Sequence, residues 1–109
     1  MTSREKLAAK TSDKLHICVG LDTDINKIPK HLPGLSNPVL EFNKIIIENT
    51  AQAAAAYKIN FAFYEKDGAA GFDTIQRTLE FIPEGVLTIA DAKRGDIGNT
   101  SKMYAESIF

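Results

Sequence analysis

Three short apolar runs, separated by stretches of helical spacing, constrain this chain more than any other feature. His16–Leu21 (HICVGL) is a near-continuous apolar run closed by Asp22, which predicts a strand buried on both faces. Tyr57–Phe63 (YKINFAF) alternates: Tyr57, Ile59, Phe61 and Phe63 share one face, and Lys58, Asn60 and Ala62 the other. Val86–Ala92 predicts a third strand. Between the first two, Asn37-Pro38 reads as a helix start, an N-cap followed by proline at the first helical position, with Glu41 in the first turn. Phe42, Ile45, Ile46, Asn49 and Ala53 predict that helix's buried stripe. Gly68–Gly71 breaks the chain, after which Phe72, Ile75 and Leu79 mark a second amphipathic helix ending near Pro83. Asn99 or Thr100 opens a third. This alternation, at a period of roughly 35 residues, is the βα repeat of a parallel sheet.

The fold class expected is therefore α/β, as the first three βα units of a (β/α)8 TIM barrel. A closed barrel usually needs about 250 residues. The chain has 109, too short to close it. An open three-stranded sheet leaves an edge and an apolar face uncovered. Residues 1–109 are thus expected to be the N-terminal part of a single barrel domain in a longer protein. Met1–Lys14 reads as a short polar helix or frayed lead-in. Asp22–Asn37, with Pro29, Pro33 and Gly34, reads as a loop holding one helical turn at most.

A hydrophobic fraction of 44% and a charged fraction of 25% are those of an ordinary soluble unit. A net charge of −1 gives no general attraction toward nucleic acid or anionic lipid, so neither is expected as a partner. No apolar stretch approaches the roughly 18 residues of a membrane helix. Met1–Lys14 lacks the apolar core of a signal peptide, and the lone Cys18 reads as a small buried thiol in a reducing compartment. A cytoplasmic location is expected.

The chemistry concentrates in Asp91-Ala92-Lys93-Arg94-Gly95-Asp96-Ile97-Gly98-Asn99-Thr100, directly behind the apolar run Val86–Ala90. If the strand continues through it, Asp91 and Lys93 project to the same side, roughly 6–7 Å apart along the backbone. Asp22 and Lys58 lie at or near the ends of the other two strands, and Asp96 lies just beyond. Each has an ordinary structural alternative. Asp22 can cap a turn, Lys58 can extend its charge to the barrel mouth, Asp91 and Lys93 can form a plain ion pair, and Asp96 can cap the next helix. Together they place charge on every strand at the end where barrels keep their catalytic groups. Lys93 between two carboxylates has its ammonium form favoured and so remains a proton donor. Such a donor suits a reaction that creates negative charge on carbon and quenches it, in a site shielded from water.

Other candidates are weaker. His16 and His31 lack ligand-spaced partners, so no metal site is expected; His16 is expected to pack at the strand start and His31 to be solvated. Gly68-Ala69-Ala70-Gly71 reads as a plain turn rather than a phosphate cradle. Ser101 has no histidine arrangement to activate it. The stripe of Tyr57, Phe61 and Phe63 reads as core packing.

The motif Asp-x-Lys-x-x-Asp-Ile-x-x-Thr (Asp91, Lys93, Asp96, Ile97, Thr100) after an apolar strand resembles the signature of the orotidine 5'-phosphate decarboxylase family. Val19-Gly20-Leu21-Asp22-Thr23-Asp24 and Tyr57-Lys58-Ile59-Asn60 are similar to its longer bacterial branch. The resemblance implies a homodimeric (β/α)8 barrel that converts orotidine 5'-phosphate to UMP and carbon dioxide in pyrimidine synthesis, without metal or organic cofactor. It implies that Lys58, Asp91, Lys93 and Asp96 form an alternating catalytic network, and that Asp96, Ile97 and Thr100 serve the neighbouring subunit's site. Lys93 would protonate C6, Asp91 would sit against the departing carboxylate, and Asp22 and Lys58 would hold the ribose. The family's phosphate-gripping arginine and base-recognising residues lie on later strands, so 109 residues alone are expected to be inactive. The alternatives are a metal-using sugar-phosphate decarboxylase or aldolase of the same superfamily, and an inactive fragment.

Overall fold

The computed structural model describes residues 1–32 and 35–109; the Pro33-Gly34 part of the expected loop lies outside them. The elements run α1 (Ser3–Ser12), β1 (Ile17–Gly20), α2 (Pro38–Thr50), β2 (Ala54–Asn60), α3 (Ala62–Glu65), α4 (Ala69–Phe81), β3 (Leu87–Asp91) and α5 (Gly98–Ile108). The strands form one parallel sheet in the order β1-β2-β3. This is the α/β architecture with which a (β/α)8 barrel begins: three βα units, preceded by α1 and with a short α3 after β2.

β2 lies between the other two strands, and its residues from Ala54 to Tyr57, together with Ile59, are buried. It differs from the periodic run that announced it, starting at Ala54 and ending at Asn60. Past that point the chain turns: Asn60 Oδ1 accepts from the Ala62 amide at 3.3 Å, and the Tyr64 amide donates to Phe61 O at 3.0 Å. Ala62 therefore opens α3 and does not share the strand face of Lys58.

β1 was expected to be buried on both faces. Instead Ile17, Cys18 and Gly20 are exposed, because one face of this three-stranded sheet carries no covering layer. The same openness corrects two smaller expectations. Cys18 is an exposed thiol rather than a buried one, and His16 is exposed rather than packed; His31 is exposed as expected.

α2 begins as its sequence dictates, with Asn37 Oδ1 accepting from the Leu40 amide at 3.1 Å and Pro38 in the first turn. Its buried positions are Leu40, Asn43 and Ile47, not the predicted Phe42–Ile46 stripe. α4 buries Gly71, Thr74, Ile75 and Thr78 and leaves Phe72 and Leu79 exposed. Both helices are rotated from the apolar expectation for one reason: they meet through polar side chains. Asn37 Nδ2 donates to Thr74 Oγ1 at 3.1 Å, and Asn43 Nδ2 donates to Thr78 Oγ1 at 3.0 Å. The core around them holds Leu21, Ile47, Tyr57, Ile59, Tyr64, Ile75 and Val86.

Candidate active site

Strand register brings the charged residues together. Gly20 pairs with Lys58, Lys58 with Ile89, and Asn60 with Asp91. Two ladder bonds continue past the strand ends, from the Leu21 amide to Lys58 O at 2.8 Å and from the Phe61 amide to Asp91 O at 3.0 Å. Side chains of paired residues in a parallel sheet lie on the same face. Lys58 therefore stands between the end of β1, which carries Asp22, and the end of β3, which carries Asp91.

The result is a row of alternating charge. Lys58 Nζ is 3.8 Å from Asp22 Oδ1 and 3.6 Å from Asp91 Oδ2. Lys93 Nζ donates to Asp91 Oδ1 at 2.5 Å and Oδ2 at 2.6 Å. Asn60, which sequence reasoning placed beside Lys58 without giving it a role, donates from Nδ2 to Asp22 Oδ2 at 3.3 Å. Its position two residues after Lys58 on the same strand was the available signal.

Two expectations about this site change. β3 ends at Asp91, so Lys93 does not reach Asp91 by strand alternation; it lies in a left-handed turn, φ 44°, and its side chain folds back. The site is also not shielded from water. The Asp91 side chain is 18% exposed, but that of Lys93 is 74% exposed, since the row lies on the uncovered face of the sheet. Ion pairs this accessible add little to stability, because water screens them. Stability is a poor reason for assembling four of these groups in one place.

Electrostatics single out Asp91. The hydrogen bond from Lys93 holds its carboxyl below the usual carboxylate range; partial burial opposes this, and the positive charges of Lys93 and Lys58 reinforce it. Asp96, Ile97 and Thr100 stand apart from the row. Asp96 Oδ1 accepts from the Ile97 amide at 2.8 Å, Ile97 is exposed ahead of α5, and the Thr100 amide donates to Asn99 Oδ1 at 3.0 Å. Among the described residues no three His, Cys, Asp or Glu side chains form a metal-binding cluster, and no helix is long and apolar enough to cross a membrane.

Behind the row lies a buried polar network absent from the sequence reading. Asn43 is 0% exposed; its Oδ1 accepts from Thr23 Oγ1 at 2.5 Å, and its Nδ2 donates to Tyr64 OH at 3.0 Å as well as to Thr78. Tyr64 OH donates to Leu21 O at 2.7 Å, and burial is the main cause that pushes its pKa up. The two neighbours of Asp22, Leu21 through its carbonyl and Thr23 through its hydroxyl, are thus tied into a network that spans α2, α3 and α4. No local signal announces this, because a buried asparagine looks like a solvated one in a sequence.

A parallel βα sheet with alternating carboxylates and ammoniums along the C-terminal rim of its strands has the form of a segment of a (β/α) barrel, the fold whose functional groups gather at that rim. The family model described as "Orotidine 5'-phosphate decarboxylase / HUMPS family" matches residues 15–109. The chain belongs to that family. It is 49% identical over 112 residues to the orotidine 5'-phosphate decarboxylase of Porphyromonas gingivalis, covering 100% of this chain and 41% of that protein. The Parabacteroides distasonis protein of the same name is 53% identical over 96 residues, 85% of this chain and 34% of its own length. The structure of Leishmania donovani OMP decarboxylase matches with a TM-score of 0.84 and 36% identity, covering 100% of this chain and 40% of that one. The chain therefore spans about two fifths of the length of such relatives.

Proposed function

We propose that residues 1–109 are the N-terminal part of a single decarboxylase domain that converts orotidine 5'-phosphate to UMP and carbon dioxide. The row Asp22–Lys58–Asp91–Lys93 carries this reading, together with the decarboxylase names of the relatives. In the reaction, the bond between C6 and the carboxylate breaks, carbon dioxide leaves, and the electron pair stays on C6. Lys93, as ammonium, gives its proton to C6 and is recharged from solvent. Asp91 holds the Lys93 ammonium in place, and its negative charge faces the departing carboxylate. Asp22 and Lys58 hold the ribose hydroxyls. Preorganised charge of this kind acts without reorganisation at the moment of reaction.

Asp96, Ile97 and Thr100 complete the site of a second subunit in a homodimer. Their position away from this chain's own row supports that role. No cofactor takes part, and the enzyme works in the cytoplasm, without nucleic acid or membrane partners.

The test is ultraviolet-monitored turnover of orotidine 5'-phosphate by the full-length gene product and its Lys93→Ala variant, with and without a chelator. Turnover that survives chelation, and that the variant loses while still binding UMP, supports the reading. A variant as active as the parent removes Lys93 from the mechanism, and loss of activity on chelation favours the metal-using relatives.

A further inference from the structure

Lys93 presents a problem of aim. Its side chain is 74% exposed, so little packs around its stem, yet its Nζ sits within 2.6 Å of both Asp91 oxygens. Its backbone lies at φ 44°, a region that residues with a β-carbon occupy only when their surroundings over-determine it. With the side chain free, the direction of the ammonium is set by the backbone turn. Something must hold that turn.

The residue that does so is its neighbour. Arg94 NH1 donates to the carbonyl of Ala92, the residue before Lys93, at 2.7 Å. Its NH2 pairs with Glu65 Oε1 on α3, and its guanidinium carbon lies 5.7 Å from the centroid of the Tyr104 ring on α5. One planar fork thus grips the peptide in front of Lys93 and is itself anchored on helices to either side. α3 is also the element whose Tyr64 holds the Leu21 carbonyl beside Asp22. The Arg94 side chain is only 22% exposed, and both terminal nitrogens of its guanidinium already hold partners within this chain, which fits a clamp better than a ligand-binding cation.

We infer that Arg94, anchored by Glu65, is a positioning residue for Lys93: it fixes the left-handed turn that points the proton donor at Asp91 and the reacting carbon. The inference rests on the decarboxylase reading for its kinetic consequence, but not for its structural one.

Both consequences are tested on the full-length protein with Arg94→Met, Glu65→Gln and the double variant. Orotidine 5'-phosphate turnover and UMP-binding stoichiometry are measured together, so that loss of folded protein is seen separately. The expected result is a fall in kcat of about tenfold to a hundredfold, the cost of a small misplacement of a reacting group. KM stays within about twofold of wild type, UMP still binds one per site, and the double variant is no worse than Arg94→Met alone. A kcat within about twofold of wild type, or a fall matched by an equal loss of UMP-binding chains, overturns the inference.

The crystal structure of the Arg94→Met protein, which loses both the donor to Ala92 and the donor to Glu65, provides a readout independent of activity. Lys93 displaced from Asp91 supports the clamp, and Lys93 still at positive φ on both Asp91 oxygens overturns it. If the wild-type protein does not turn over orotidine 5'-phosphate, the decarboxylase reading falls while this crystal structure still judges the clamp.

Discussion

Lys93 Nζ lies 2.5 Å from Oδ1 and 2.6 Å from Oδ2 of Asp91, the residue that ends the strand two positions before it. The same carboxylate is 3.6 Å from Lys58, so one anion faces two cations. Replacing Asp91 with asparagine leaves both ammoniums without their shared counter-charge. Turnover of orotidine 5'-phosphate by the full-length Asp91→Asn protein is expected to fall by about a hundredfold or more. UMP affinity measured by titration calorimetry should change far less. Equal losses in binding and turnover would contradict the role given to Asp91.

That carboxyl titrates below its ordinary range, chiefly through the hydrogen bond from Lys93. A group whose pKa is depressed by folding stabilises the protein above its unfolded pKa, and that stabilisation is lost as pH falls through the folded value. Wild type should therefore be more stable than Asp91→Asn at neutral pH, with the gap closing below about pH 4. Urea midpoints of the two proteins across the acid range check this. A gap that persists undiminished at the acid extreme would show that the pair does not form.

Asn43 joins Thr23, Tyr64 and Thr78 in one buried network. Asn43→Leu fills similar space but strands the Thr23 and Thr78 hydroxyls, while Tyr64 keeps its bond to Leu21 O, at an expected cost on the order of 3 kcal/mol. Tyr64→Phe, which leaves the Leu21 carbonyl without its donor, should cost about 1–3 kcal/mol. The double variant should be less destabilised than the sum, since both break the same network. Additive losses by chemical denaturation would mean that the two residues act separately.

Tyr64 adds an alkaline signature. Burial is the main cause of its raised pKa, so its neutral form is the one the fold requires. The stabilisation is fully present below the ordinary tyrosine value of about 10 and is lost as pH rises through the folded value. Stability measured against pH should show that alkaline fall in wild type and a shallower one in Tyr64→Phe.

Gly71 of α4 lies against the backbone of Tyr64 in α3. A methyl group built there overlaps the backbone carbonyl of Tyr64, which cannot rotate away as a side chain would. Gly71→Ala is expected to cost about 3 kcal/mol. At Gly85 a β-carbon meets nothing within 4 Å, so Gly85→Ala should stay within about 0.5 kcal/mol of wild type. Thermal denaturation of the pair separates crowding from any general effect of replacing glycine.

Apart from α3, whose first residues read as a continuation of the second strand, the order of strands and helices was legible in the sequence because its signals are local. Apolar runs mark the strands, Asn37-Pro38 starts α2, and Gly68 breaks the chain before α4. The placement of Asp22, Lys58, Asp91 and Lys93 near strand ends was equally plain, and the spacing of Asp91, Lys93, Asp96, Ile97 and Thr100 already resembled the family to which the chain belongs. What the tertiary structure alone decided is of another kind. Asn43, Thr74 and Thr78 are inside because their polar groups find partners on other elements, which a one-dimensional pattern of hydropathy reads as surface. Glu65 meets Arg94 across 29 positions, and Lys93 reaches Asp91 through a left-handed turn rather than along a strand. Periodicity reports which face a residue occupies on its own helix or strand. The partner that satisfies a buried donor, or bends a backbone into a rare conformation, comes from elsewhere in the chain and exists only once the elements have packed.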